Sequence, residues 1–171
     1  MKYLQFDVKI ARKDRLVTDK FALASEVWQP SIKNCQKYFM PSENLTIDEQ
    51  LFPPKSQCPF TQFLSNKPDK YGIKFFLLVN VATKYLCNGS LYIGKFDNSQ
   101  QKSFVHLLMQ PYSSLGYGVT TGNYFASVSL CNALKEKHTC LVDAVNKNCR
   151  DLPNIQKIMA GQLEHDCSSQ L

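Results

Sequence analysis

Among the side chains able to do chemistry, two carboxylates, Asp48 and Glu49, stand in a stretch where Leu45, Ile47, Glu49 and Leu51 alternate with Thr46, Asp48 and Gln50. A period of two is a strand pattern. It puts Asp48 on the face opposite the apolar stripe and Glu49 on the other face. By itself the pattern provides an exposed strand carboxylate. Soft-donor chemistry finds less support. The seven cysteines (Cys35, Cys58, Cys87, Cys131, Cys140, Cys149 and Cys167) include no pair at CxxC spacing. His106, His138 and His165 also lack ligand spacing, so a zinc site is not expected. The odd cysteine count, with no apolar core in Met1 to Ile10 to suggest a signal peptide, points to free thiols in a reducing, intracellular compartment.

The basic side chains bear on partners. The chain has 171 residues and a net charge of +6, with a pI near 8.9. That balance fits an anionic partner without requiring one. Lys2, Lys9, Arg12, Lys13 and Arg15 crowd the start, and Lys55, Lys67, Lys70, Lys74 and Lys84 face only Asp69 in the middle. No run is long enough to be a basic tail. At 44% hydrophobic and 20% charged the composition is that of an ordinary globular domain, sufficient for one core. No apolar run approaches the roughly 18 residues of a membrane span, and no membrane partner is expected. Sequons at Asn44 and Asn88 carry no meaning without secretion.

The elements that position these residues follow from local patterning. Residues 1–18 are charged and aperiodic, a strand or a loose arm. Phe21, Ala24, Trp28, Ile32, Cys35 and Phe39 share one helical face, with Pro30 predicting a kink or two short helices. The strand around Asp48 ends at Pro53 and Pro54. Gly72 to Val81 reads as a strand buried on both faces, and Tyr85 to Ile93 as its neighbour, interrupted at Asn88-Gly89 by a turn or bulge. A polar loop covers Phe96 to Lys102, and Phe104, Leu107 and Leu108 start a helix that Pro111 kinks or closes. A short strand over Val119 to Thr121, a helix through Val128, Leu130, Cys131 and Leu134, and a strand over Thr139 to Val145 complete an α/β arrangement. The tail beyond Pro153 is polar.

Several ordered blocks then carry a resemblance. They are Pro41-Ser42-Glu43-Asn44-Leu45-Thr46-Ile47-Asp48-Glu49-Gln50-Leu51, Cys58-Pro59-Phe60, and Lys67 to Lys74. The next is Gly116-Tyr117-Gly118-Val119-Thr120-Thr121-Gly122-Asn123-Tyr124-Phe125-Ala126-Ser127, followed by Leu141-Val142 and Asn146 to Pro153. Together they resemble the piggyBac transposase family over roughly residues 15–155. The resemblance implies an RNase H-like mixed sheet flanked by helices, here incomplete, with an N-terminal arm (1–18), a partial catalytic domain (19–155) and a C-terminal tail (156–171). It also implies a nuclear protein derived from a transposable element. The family's DDE/D chemistry uses three aspartates and two divalent metals, usually Mg2+, to cleave and join DNA strands. Hard cations of this kind take oxygen ligands.

Carried over residue by residue, Asp48 matches the first aspartate. Gly122 stands where the second belongs, and Asn123 beside it is neutral and directed elsewhere. The third is expected beyond the end of the chain, as is the family's cysteine-rich tail. Basic residues of the family are replaced at Pro54-Lys55-Ser56-Gln57 and at Thr61, while Lys55, Lys67, Lys70, Lys147 and Arg150 stand as candidate DNA contacts. Asp143 replaces a family glycine, and its different strand and register speak against a substitute ligand. The expectation is a degenerate transposase domain that binds metal weakly through Asp48, holds no Mg2+ tightly and has no small-molecule substrate. It does not cleave DNA, but it retains possible partners in DNA and in a related transposase chain. A non-catalytic DNA-binding or transposase-interacting module is the alternative.

Overall fold

The computed structural model describes residues 9–22, 24–55, 58, 60–65, 69–93, 98–122, 124, 125 and 127–143. The chain divides into two compact units between Met40 and Pro41. The first contains two helices, α1 (Lys9–Thr18) and α2 (Ser25–Tyr38). A strand or loose arm was the expectation for residues 1–18. Over 9–18 the chain is instead helical, because Ala11, Leu16 and the lysines and arginines around them are good helix formers and neither Gly nor Pro interrupts them. The Arg15 guanidinium pairs with the Glu26 carboxylate. α2 runs through Pro30 as one element rather than two. The proline sits near the start of the helix, where it removes only the bond to the Glu26 carbonyl. One residue later, the Ser31 hydroxyl donates to the Val27 carbonyl at 2.7 Å.

The second unit is built on a six-stranded sheet among the described residues. β1 (Asn44–Phe52) lies at its centre, β2 (Gln62–Phe63) is short, and β3 (Tyr71–Asn80) runs antiparallel to β1 from Leu45 opposite Asn80 to Phe52 opposite Ile73. β4 (Leu86–Leu91) pairs antiparallel with β3, and β2 pairs with the start of β3 along the same outer edge. β5 (Gly118–Thr121) runs parallel to β1, and β6 (Cys140–Asp143) parallel to β5. Parallel neighbours require crossover connections. α3 (Asn98–Met109), continued by a 3-10 turn at Gln110–Tyr112, leads into β5, and α4 (Val128–Lys135) joins β5 to β6. Three antiparallel strands followed by two parallel to the first, with helical crossovers, is the RNase H-like mixed sheet expected from the sequence.

The core lies on one face of that sheet. Leu45, Ile47 and Leu51 share it with Phe76, Leu78, Val119 and Leu141, all buried. From α3, Phe104, Val105, Leu108 and Met109 are buried, and from α4, Leu130 and Leu134. Phe76 is the hub, with Phe104, Tyr124 and Phe125 rings at 5.0, 5.7 and 5.1 Å. Two buried asparagines are satisfied. The Asn88 amide donates to the Leu108 carbonyl at 2.8 Å, and the Asn80 amide donates to Thr83 while its oxygen accepts from Ser42.

Two local expectations shift. The irregularity expected at Asn88-Gly89 falls one residue earlier. Val79 pairs with Leu86 and Leu78 with Asn88, which leaves Cys87 as the extra residue of a bulge. The polar stretch expected as a loop to Lys102 is helical from Asn98. Its Ser and Gln residues show no apolar period, so the helix became legible only from Phe104 onward.

Candidate functional site

The parallel ladder between β1 and β5 ends with Ile47 opposite Thr121. Asp48 and Gly122 are the next residue of each chain. Asp48 is exposed, it faces Leu77 on its other side, and its Oδ1 accepts the Glu49 N–H at 2.8 Å. Glu49 has the parity of the buried stripe and is half-buried. A Cβ built on Gly122 meets nothing within 4 Å, and the backbone there is outside the left-handed range. No conformational or packing demand therefore requires glycine at this position. Gly118, four residues earlier, differs, because a Cβ there would meet Asn44 Oδ1 at 2.8 Å.

Asp143 ends β6 opposite Thr121, level with Ile47 rather than Asp48. Lateral neighbours in a sheet share a face and successive residues alternate. Asp143 thus sits on the buried face with Thr121 and Ile47, opposite the face of Asp48. Thr121 is 5% exposed, and its hydroxyl has no hydrogen-bond partner among the described residues.

A pair of divalent cations about 4 Å apart needs several carboxylates to hold it. The described residues bring one, Asp48, to this point, and Gly122 contributes no side-chain atom. Among the described residues no group of three or more His, Cys, Asp or Glu could hold a metal ion. These residues do not fit a two-metal centre.

Two of the candidate DNA contacts are described. Lys55 follows β1 and Lys70 precedes β3, both exposed. Because Phe52 pairs with Ile73, both lysines lie at the end of the sheet toward which β1 runs, beyond Phe52, whereas Asp48 stands mid-strand, four residues earlier. Lys67, Lys147 and Arg150 lie outside the described residues.

The sequence matches the family described as Transposase IS4 over residues 1–169. The chain belongs to this transposase family. Its domain is of the piggyBac type. It superimposes on a piggyBac transposase, solved by cryo-electron microscopy as a synaptic complex with hairpin DNA, with a TM-score of 0.80 and 32% identity over 88% of this chain. The transposase domain described here spans about a third (33%) of the length of that piggyBac chain. A simian T-cell lymphotropic virus intasome in complex with PP2A regulatory subunit B56 gamma aligns over 64% of this chain and 34% of its own, at 13% identity and a TM-score of 0.38. No helix among the described residues is long and apolar enough to cross a membrane.

Two further residues of this transposase domain escaped the sequence reading. Lys74, counted there with the dispersed positive charges, is 5% exposed on β3, and its ammonium lies over three aromatic rings. The signal was its parity, since it alternates in step with Phe76 and Leu78. His106 on α3 is half-buried. Its pKa is lowered from the usual histidine value, first by burial and then by the positive charge of Lys137.

Proposed function

We propose that this chain is a transposase-derived domain whose metal site has lost its second carboxylate, so that it does not cleave or join DNA. The observation that carries this reading is the β1–β5 register. It makes Gly122 the neighbour of Asp48 on a backbone with room for a side chain, where the family places an aspartate. A lone monodentate carboxylate does not offset the dehydration of Mg2+, which gives up its waters reluctantly. What these residues retain is a surface for phosphate. Lys55 and Lys70 are exposed at the end of the sheet toward which β1 runs, and a lysine ammonium can bind phosphate oxygens without needing a metal. The function that follows is non-catalytic association with DNA, alone or beside a related transposase chain, in the nucleus. The piggyBac relative was solved on hairpin DNA, which supports DNA as the partner class.

Titration of the chain with Mn2+, followed by calorimetry or paramagnetic broadening, tests the reading. Binding in the millimolar range or weaker is the expected result. A micromolar site abolished by Asp48→Ala would overturn it.

A further inference from the structure

A buried ammonium is costly unless other groups replace its hydration. Lys74 sits near the start of β3, opposite Leu51, with 5% of its surface exposed, on the same face as Phe76 and Leu78. Its Nζ lies 4.7 Å from the ring centre of Phe76, 5.5 Å from that of Tyr92 and 4.5 Å from that of Tyr124. All three are within the range at which a ring face attracts a cation. Two of the rings belong to the β3–β4 part of the sheet. Phe76 is on β3, and Tyr92 follows β4 with its N–H donating to the Lys74 carbonyl at 2.9 Å. The third ring does not belong to it. Tyr124 lies in the turn that leaves β5, closed by the Phe125 N–H donating to the Gly122 carbonyl at 3.0 Å. Tyr124 and Phe125 also pack on Phe76, at 5.7 and 5.1 Å, but apolar packing by itself requires no charge at position 74.

We propose that Lys74 is a positioning residue: its ammonium, held between sheet-borne rings and Tyr124, latches the turn that begins at Gly122 to β3 and so fixes where position 122 lies beside Asp48. The role as a latch stands on the geometry of the cation and the rings. Its importance for the site rests on the reading of position 122 given above.

Amide hydrogen exchange on the whole chain tests the latch. Lys74→Met keeps the length of the side chain and removes the charge. The expected result is that the Phe125 amide exchanges roughly 3- to 30-fold faster, the range of a desolvated cation–ring contact. Amides of the β1–β3 ladder should change much less, and Lys74→Arg, which keeps the cation, should restore protection. Tyr124→Leu removes the contact from a half-buried position. It should produce the same loosening with no further increase when combined with Lys74→Met. Unchanged Phe125 exchange, or acceleration only in parallel with the ladder amides, would overturn the latch. If Lys74→Met does not fold, unchanged Phe125 exchange in Tyr124→Leu overturns it equally. A second arm separates the latch from the site. Mn2+ affinity gained by Gly122→Asp should fall several-fold when Lys74→Met is added. If Gly122→Asp gains no affinity with Lys74 in place, the reading of position 122 fails, while the exchange data still decide the latch.

Discussion

Replacing Gly122 by Asp should leave the domain about as stable as before without metal, and make it respond to divalent cations. The backbone at Gly122 accepts an L-residue and a side chain there meets no atom within 4 Å. Removing the freedom of glycine in the unfolded chain then stabilises by about 0.4–1 kcal/mol. Against this stands repulsion from Asp48. Neighbouring strands lie about 4.8 Å apart, and Asp48 is exposed. Two carboxylates about 5 Å apart in water repel by about 0.8 kcal/mol. The two effects nearly cancel, leaving a net change within about 0.5 kcal/mol. A second ligand of like charge should tighten Mn2+ by about tenfold, for example from about 10 mM to about 1 mM. At 10 mM Mn2+ the gain in stability is then about 0.4 kcal/mol for the native chain and about 1.4 kcal/mol for the variant. Thermal melts with and without Mn2+ read the difference as a few degrees for a domain of this size. It should disappear when Asp48→Ala is added. Loss of more than about 2 kcal/mol without metal would refute the argument that glycine is unnecessary there. An equal response to Mn2+ in native and variant chains would refute the placement of position 122 beside Asp48.

Three other outcomes follow from the same geometry. His106 binds its proton less readily when folded, so the stability it contributes is complete above its unfolded pKa near 6.5 and is lost as pH falls from there through the lower folded value. Urea melts between pH 7 and pH 5 should show a decline that His106→Gln reduces. Lys55→Gln and Lys70→Gln should each lower the slope of log affinity for duplex DNA against log salt by about 1; an unchanged slope would remove that lysine from the interface. Phe76 is fully buried among Tyr92, Phe104, Tyr124 and Phe125, and Phe76→Ala should cost about 3–5 kcal/mol by denaturant unfolding; a cost below about 1 kcal/mol would displace it from the centre of the core.

Much of the fold was legible because it depends on local periodicity. The alternation from Leu45 to Leu51, the apolar run of β3 and the spacing of Leu130 and Leu134 each marked an element that the structure contains. Features without a local period were missed. α1 is rich in charge, the first turns of α3 are polar, β2 has two residues, and the bulge at Cys87 depends on how β4 pairs with β3. The site was legible to a different extent. Strand alternation exposed Asp48, but periodicity gave Gly122 no significance, and only the resemblance of the surrounding motif drew attention to it. Their adjacency is a property of long-range register, which no single strand encodes. Lys74 shows the reverse case. Its parity pointed inward, yet a charged residue reads as exposed until the rings that surround it are brought together by three separate segments of chain.

The central claim is the loss of catalysis at Asp48 and Gly122, and strand cleavage tests it most directly. Transposon-end DNA should be incubated with the native chain and with Asp48→Ala in Mg2+ and in Mn2+, and nicked and joined strands resolved on a denaturing gel. The account predicts that neither chain produces nicks above the metal-only control. Metal-dependent nicking by the native chain that disappears in Asp48→Ala would contradict it.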